Sequence, residues 1–302
     1  MRTKPIIPIM ITLLLVSSLS MIVTVLPANA AVLSGGPFSN ALEFDGVDDY
    51  VQVPDSSSLR IPSTEMTIEA WIYFPSNSSG LQLPIRKWLD ADGGWMSYVL
   101  GKTEDNKIYG ALGNKSLTQF PGWTTTQNIT NLGIENTWAH IAFTWRKENF
   151  NETDGKIFVN GVSVNTTFAP HDYSTAFTIG YDTYPLYFAR KADSLSFSST
   201  YFKGKLDEVR ISNIARIAFN VTAAPSVDAN TVALWHFDES TSLTASDASS
   251  NGNHGTISGA TIIPEFPTIF ATIILLTTLS VVFLLVRKSS MQFMKMSTAS
   301  SF

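Results

Sequence analysis

Acidic side chains concentrate in the stretch EFDGVDDYV, where Glu43, Asp45, Asp48 and Asp49 lie close together in the chain. Carboxylates at such spacing can coordinate a metal ion, serve as catalytic acid and base, or hydrogen-bond a tight turn. The three alternatives require different surroundings. The elements that position these residues therefore decide between them.

The local pattern predicts a strand, a tight turn and a second strand. Leu42 and Phe44 alternate with the acids and are expected to face a core. Gly46 after Asp45 suits a turn, because glycine adopts positive φ without strain. Asp48 and Asp49 are then expected to solvate or cap the turn before the next strand begins.

Period-two alternation continues along the chain and predicts an all-β fold. The clearest strands are Met66–Phe74 and Trp138–Arg146, in which apolar residues alternate along one face. Asn160-Gly161 predicts a two-residue type I′ hairpin, and Asp154-Gly155 is a second hairpin dipeptide. Ile214–Val221 is expected to form a short turn of helix. Many short strands at this spacing favour one sandwich or barrel over residues 31–262.

Both ends of the chain are apolar. Basic residues, an apolar run and the small residues before Ala30 predict a signal peptide over residues 1–30, with an uncleaved anchor as the alternative. Residues 267–286 carry no charge and are long enough to span a bilayer. Basic residues follow directly, so residues 287–302 are expected to be a cytoplasmic tail and the domain to be extracellular.

Charge and composition narrow the choice of partners. The segment between the apolar ends holds all 25 acidic residues but not all 20 basic ones, so it is more acidic than the whole chain, whose net charge is −5. Such a surface disfavours nucleic acid as a partner. The chain has no cysteine. Six N-x-S/T sequons predict glycosylation on surface loops, at Asn77, Asn114, Asn128, Asn151, Asn165 and Asn220.

Six motifs occur in a characteristic order: ALEFDGVDDYVQV, MTIEAWIYF, TWAHIAFTW, GKIFVNGVSV, FTIGYD and GKLDEVRISNIAR. Together they resemble the laminin-G-like domain of the concanavalin A-like lectin/glucanase superfamily. The resemblance implies a two-sheet antiparallel jelly-roll sandwich. Residues 231–261 resemble the segment that usually leads this domain. Their position at the end indicates a circular permutation, with a truncated second copy as the alternative.

The segment before the apolar C-terminal run has its own resemblance. Pro264-Glu265-Phe266, within residues 263–266, is similar to the sorting tails of some archaeal surface proteins. That resemblance implies recognition and cleavage by a membrane transpeptidase. The basic tail is long for such a signal, so a permanent membrane anchor stays equally open.

Some members of the superfamily are glycoside hydrolases, which place catalytic carboxylates on one strand as E-x-D-x-x-E. Glu43 and Asp45 begin like that motif, but position 48 is aspartate and Gly46 interrupts the strand. Catalysis is therefore the least favoured function. In related jelly rolls a structural calcium ion joins the first strand to a terminal strand aspartate. The resemblance implies such a site at Asp207, with Asp238 or backbone carbonyls of WHFDE as the partner, rather than in the opening acidic cluster.

Aromatic side chains are the candidates for carbohydrate binding, because their flat faces suit the apolar faces of sugar rings. Trp95 and Trp123 border loops and rank first, followed by Trp71 and Tyr73 on the polar face of their strand. Glu69 on that face is expected to pair with Arg210 across strands as a structural ion pair.

Together these features predict a membrane-anchored surface module. Its expected ligand is a glycan or a surface protein. The alternative is a structural or adhesive envelope component that has no small ligand.

Overall fold

The computed structural model describes residues 37–61, 64–89, 95–114, 119–180, 183–190, 201–240 and 243–264. These residues contain one short 3₁₀ helix, Glu152–Asp154, and a series of strands. The strands in chain order are β1 (Ala41–Asp45), β2 (Tyr50–Val53), β3 (Glu65–Tyr73), β4 (Gln82–Leu89), β5 (Trp95–Lys102), β6 (Lys107–Leu112), β7 (Gly122–Asn128), β8 (Trp138–Arg146), β9 (Gly155–Val159), β10 (Val162–Val164), β11 (Thr166–Ala169), β12 (Leu186–Phe188), β13 (Lys203–Ser212), β14 (Thr231–Trp235), β15 (Thr244–Ala245), β16 (Gly255–Ser258) and β17 (Thr261–Ile263).

The strands form two antiparallel sheets, which confirms the predicted all-β jelly-roll sandwich. The first sheet has the order β10-β9-β8-β3-β13-β1-β17, with β14 also paired to β13. The second sheet has the order β11-β7-β6-β5-β4-β12-β2-β16-β15. In both sheets, strands that are distant in sequence lie side by side. Each sheet is therefore formed in part by pairing between distant segments of the chain.

The core between the sheets is built from the alternating apolar residues. Met66, Ile68, Ala70 and Ile72 of β3 are fully buried, as the alternation predicts. They belong to one apolar cluster that includes residues of both sheets. The polar residues between them face outward, so the outer face of the first sheet carries the candidate functional side chains.

The last strands belong to the same sandwich. Trp235 of β14 is opposite Val209 of β13, and Ile263 of β17 is opposite Ala41 of β1. The first and last strands of the described domain are therefore neighbours in one sheet. A circularly permuted chain requires this arrangement, and the permutation itself stays a prediction.

Two turn predictions have different outcomes. Asn160 and Gly161 have φ values of 50° and 78° and join β9 to β10 with two residues, as predicted for a type I′ hairpin. Asp154-Gly155 lies at the end of the loop of an antiparallel β8–β9 hairpin but does not form its tight turn: Asp154 ends the 3₁₀ helix, and Gly155 is extended with φ −114°. The helix predicted at Ile214–Val221 is wrong, because these residues after β13 are irregular.

The predictions for the two ends of the chain fall on residues that the structure does not describe. The signal peptide over residues 1–30, the span over 267–286 and the tail over 287–302 lie outside the described residues. Among the residues that are described, none lies in a helix with the length and apolarity that crossing a membrane requires.

Candidate functional site

The outer face of the first sheet is divided into a covered half and an open half. The segment after β13, residues 213–230, crosses the covered half. Its Phe219 ring lies 5.1 Å from His140 and 5.0 Å from Phe158, measured between ring centroids. The backbone oxygen of Ser226 accepts a hydrogen bond from Arg210 at 3.0 Å. Residues of this segment therefore cover this half of the face.

A buried ion cluster lies beneath that segment. Arg210 is opposite Glu69 in the register of β13 and β3, and its Nη2 lies 2.7 Å from Glu69 Oε1. His140 Nε2 lies 2.9 Å from the other carboxylate oxygen. Glu69 is only 2% exposed. The predicted cross-strand pair is confirmed, and its burial supports a structural role.

The open half of the face contains a groove of about 580 Å³. Strands β1, β13 and β3 supply its floor, and the loop after β3 supplies part of its wall. Its lining residues are Glu43, Phe44, Asp45, Asp49, Tyr73, Pro75, Asn77, Lys203, Gly204, Lys205 and Thr261. The groove thus combines carboxylates, ammonium groups and one partly exposed aromatic ring, that of Tyr73, which are groups that recognise polyhydroxyl ligands.

Tyr73 is the partly exposed aromatic residue of this groove, whereas the other aromatic lining residue, Phe44, is buried in the core. Tyr73 is half-buried, and its ring centroid lies 6.1 Å from that of Trp138 at a steep interplanar angle. Trp71 is on the same face of β3 and is also half-buried, with Phe38 packed edge-on at 5.5 Å. The structure thus places Tyr73 in the groove, with Trp71 two residues earlier on the same face of β3.

The two first-ranked tryptophans do not join them. Trp123 is fully buried against Phe143 and Phe168, and its Nε1 donates to the backbone oxygen of Glu152 at 2.9 Å. A Cβ at Gly155 would lie 2.3 Å from the Trp123 ring, so glycine is needed for this packing. The prediction of Trp123 as a ligand-binding residue is wrong, because no ring face is free. Trp95 begins β5, and its side chain is outside what the structure describes.

Two residues of the opening acidic cluster, Asp45 and Asp49, line the groove. One oxygen from each of Asp45, Asp48 and Asp49 lies within 4.8 Å of the others. Asp49 Oδ2 accepts a hydrogen bond from the Asp45 amide at 2.8 Å. Burial raises the pKa of Asp49, and the charges of Asp45 and Asp48 raise it further. The turn prediction holds here, since Gly46 has φ 85°, yet these acids are also the described group whose spacing could fit a metal.

The predicted calcium ligands lie near the other end of β1. Asp207 is fully buried, and its Oδ1 accepts a hydrogen bond from the Glu208 amide at 2.8 Å. Its Oδ2 has no hydrogen-bond partner among the described residues. Asp238 is exposed, and its Oδ1 accepts a hydrogen bond from the Asn40 amide at 3.2 Å. A buried carboxylate oxygen without a hydrogen-bond partner fits a hard cation such as calcium, which binds oxygen ligands.

The electrostatics of this second acidic site favour neutralisation. Burial raises the pKa of Asp207 well above its usual range, and the charges of Glu208 and Asp238 add to the effect. Burial also raises the pKa of Glu208, although its contact with His236 at 2.6 Å opposes the shift. That contact raises the pKa of His236. Either a proton or a cation would relieve the repulsion between the carboxylates.

The predicted modification residues lie at the surface wherever they are described. Asn77, Asn165 and Asn220 are exposed, and Asn77 is also part of the groove wall. The other sequon asparagines are half-buried, namely Asn114, Asn128 and Asn151. Of the processing residues, Pro264 is exposed directly after β17, whereas Ala30, Glu265 and Phe266 lie outside the described residues.

Sequence reasoning missed Lys203 and Lys205 as members of the groove. Alternation along KGKLDEV places both lysines on one face of their strand, and that signal was available. The residues opposite these lysines on the neighbouring strand could not be predicted in the same way. Glu43 is opposite Lys205 only because β1 pairs with β13, a pairing between distant parts of the chain.

Comparison with known proteins adds a family match and several remote structural likenesses. A laminin G family model, described as belonging to the concanavalin A-like lectin/glucanases superfamily, matches residues 45–222. No curated protein sequence matches the chain significantly.

Among the solved structures that the chain resembles are three with TM-scores below 0.5. A candidate carbohydrate-binding protein from Bacteroides ovatus is 18% identical, with TM-score 0.47, and 74% of this chain covers 59% of that protein. A pentraxin from Limulus polyphemus is 10% identical, with TM-score 0.47 and coverage of 76% and 97%. Domains LG4-5 of the mouse laminin alpha1 chain are 16% identical, with TM-score 0.38 and coverage of 63% and 44%. Likeness at this level supports no assignment of ligand.

The family match extends over more than half of the chain, from the last residue of β1 to the segment that covers part of the outer face of the first sheet. The chain belongs to the concanavalin A-like lectin/glucanases superfamily.

Proposed function

We propose that this chain is a cell-surface binding module that recognises a carbohydrate, either of the envelope or of a neighbouring cell. The observation that carries the proposal is the groove on the open half of the first sheet. Its floor sets the half-buried Tyr73 ring beside the charged side chains of Glu43 and Lys205. An aromatic surface with a few polar groups around it is the usual composition of a sugar site.

The same proposal includes the location of the module. Residues 1–30 direct secretion, residues 267–286 anchor the chain in the membrane, and residues 287–302 remain cytoplasmic. Processing at Pro264-Glu265-Phe266 would replace the span by another attachment to the envelope. Protease treatment of intact cells distinguishes the proposed orientation, because only an external domain is then degraded.

Replacing Tyr73 by alanine is expected to weaken glycan binding at least about tenfold, or about 1.4 kcal/mol. The substitution removes the ring on which a sugar would stack. Binding of the full chain, solubilised in mild detergent, to a glycan array identifies the ligand, and titration with that glycan measures the loss. Tyr73→Phe keeps the ring and should retain most of the affinity. Tyr187→Ala changes a half-buried tyrosine of the second sheet and should retain all of it.

The control variants also separate the main proposal from its alternative. A structural or adhesive component without a small ligand would bind no glycan on the array, in any variant. Equal affinity of the Tyr73→Ala and unaltered proteins for a bound glycan would place the site elsewhere on the molecule.

A structural calcium ion is the second part of the proposal, with Asp207 and Asp238 as ligands. Without a cation, the raised pKa of Asp207 favours the folded state only while the carboxyl is protonated. That stabilisation is present below the pKa of the unfolded state and is lost as pH rises through the folded pKa. Calcium would replace the proton above this range.

We therefore expect calcium to raise the Tm more at pH 7 than at pH 4, in scans with added calcium or a chelator. Asp207→Asn should abolish the calcium response, because it removes a charged ligand and the need for neutralisation. Asp48→Asn tests the opening acidic cluster in the same way. A calcium response lost in Asp48→Asn and kept in Asp207→Asn would move the site to that cluster.

A glycoside hydrolase is the least favoured of the three candidate functions, and one observation favours it. Glu43, Asp45 and Asp49 all line the groove, and burial raises the pKa of Asp49. Hydrolysis requires one protonated and one ionised carboxyl group on either side of the bond. Prolonged incubation of the chain with its array ligand, followed by product analysis, tests this. Shortened glycans would establish catalysis, and intact glycans would support simple binding.

A further inference from the structure

The floor of the groove contains two neighbouring acid–base pairs. In the antiparallel register of β1 and β13, Glu43 is opposite Lys205 and Asp45 is opposite Lys203. Side chains two residues apart on a strand project from the same face of a sheet. All four side chains therefore face the groove, as its lining confirms. The floor presents positive and negative charges in alternation rather than a field of one sign.

Lys205 holds the central position in this arrangement. Its Nζ lies 3.9 Å from Glu43 Oε1 and 5.2 Å from the centre of the Tyr73 ring. The Lys205 side chain is 13% exposed, whereas that of Glu43 is 48% exposed. An ammonium group has three donors, and within the described chain Nζ has only these two loose contacts. The ammonium group therefore lies beside the ring with donors left for a ligand.

A hydroxyl group suits this pair better than a charged group does. A hydroxyl both donates and accepts, so it can accept from Lys205 Nζ while donating to the carboxylate of Glu43. The 3.9 Å separation leaves these two groups without a tight hydrogen bond of their own. A sugar ring on Tyr73 would bring its hydroxyls to this gap.

Charged sugars would meet repulsion in the same place. A uronate or sulfate near Lys205 would also approach Glu43, Asp45 and Asp49, in a chain whose net charge is −5. An amino sugar would approach Lys203 and Lys205. For each charged ligand, repulsion from the groove residues of like charge therefore offsets attraction to those of opposite charge.

We infer that the groove selects neutral polyhydroxyl sugars, and that Lys205 beside Glu43 and Tyr73 is the residue that determines this selectivity. The inference rests on the proposed carbohydrate function and specifies its ligand class. It also gives Lys205 a role that differs from that of Tyr73, since the lysine orients hydroxyls and the ring supplies contact area.

The test uses the full chain in mild detergent and pairs of glycans that share a backbone and differ in charge. Chitohexaose is neutral, and the corresponding glucosamine hexamer is cationic. Cellohexaose and its uronate form give a neutral and an anionic ligand on another backbone. We expect at least tenfold tighter binding of the neutral member in any pair that binds, with an array of neutral, uronate and amino glycans to extend the comparison.

Variants test the residue itself. Lys205→Met keeps the apolar stem and removes the charge. It should lower the affinity for neutral glycans at least tenfold without lowering the Tm. Lys205→Arg keeps a donor and a charge and should recover part of the affinity. Lys156→Met changes an exposed lysine of β9 outside the groove and should have no effect.

The outcomes separate the inference from the proposed function. Preference for a charged glycan, or full affinity in Lys205→Met together with a loss in Tyr73→Ala, would overturn the inference and leave carbohydrate binding in place. Absence of binding to every glycan, neutral or charged, would overturn both.

Discussion

Replacing Glu69 by alanine is expected to lower the free energy of unfolding by about 3–5 kcal/mol, because it strands a buried guanidinium group. Glu69 Oε1 lies 2.7 Å from Arg210 Nη2, and Oε2 lies 2.9 Å from His140. Arg210 is 9% exposed and has no other carboxylate among its described contacts. Chemical denaturation with a fluorescence readout of the tryptophans measures the loss.

A matched substitution shows whether burial is responsible. Glu148 pairs with Arg146 at 3.3 Å on the exposed side of the domain, so Glu148→Ala removes the same group from a solvated ion pair. Its midpoint of denaturation should match that of the unaltered protein. In a double-mutant cycle, the variant with both Glu69→Ala and Arg210→Ala should lose less free energy of unfolding than the sum of the losses in the two single variants. Additive losses, or equal losses in Glu148→Ala and Glu69→Ala, would contradict a buried pair.

The cluster also shows which part of the fold can be predicted from sequence. Alternation in MTIEAWIYF assigned each side chain of β3 to a face, because strand periodicity is local. The structure confirms this, with Ile68, Ala70 and Ile72 buried between the sheets and Glu69 on the outer face. The hairpin at Asn160-Gly161 was predicted for the same reason, since its signal lies in adjacent residues.

Predictions that needed distant neighbours were less successful. Trp123 was ranked as a ligand residue because it borders a polar stretch, but Gly155 in the opposite sheet lets its ring enter the core. The groove was missed because it depends on the pairing of β1 with β13. In both cases the residue types indicated the chemistry, but the residues packed against them lie far away in the sequence.

Asp154 is a further example of a residue whose local signal misled. Asp154-Gly155 is a common hairpin dipeptide, but the Asp154 carboxylate instead accepts from three successive amides, those of Glu148, Asn149 and Phe150. Tyr173 also donates to it, at 2.7 Å. Burial and this bond raise the pKa of Tyr173. Only the tertiary structure shows that the aspartate organises a loop rather than a turn.

Asp247 organises the trailing segment in the same way, and its removal gives the second large expected effect. Asp247 is 6% exposed, and its Oδ1 accepts from the amides of Leu234 at 3.0 Å and Ser249 at 2.8 Å. Its Oδ2 accepts from the Asn253 amide at 2.8 Å and from the Ser249 hydroxyl at 2.7 Å. One carboxylate thus connects β14 to the turn before β16.

Asp247→Ala is expected to destabilise the domain by about 3 kcal/mol or more, because each buried donor left unpaired costs about 1–3 kcal/mol. Asp247→Asn keeps one acceptor oxygen and should give an intermediate loss. Hydrogen exchange should show the largest loss of protection in β15 and β16, since the turn that holds them to β14 is released. Uniform loss across both sheets would contradict this local role, because it would mean that Asp247 contributes only to global stability.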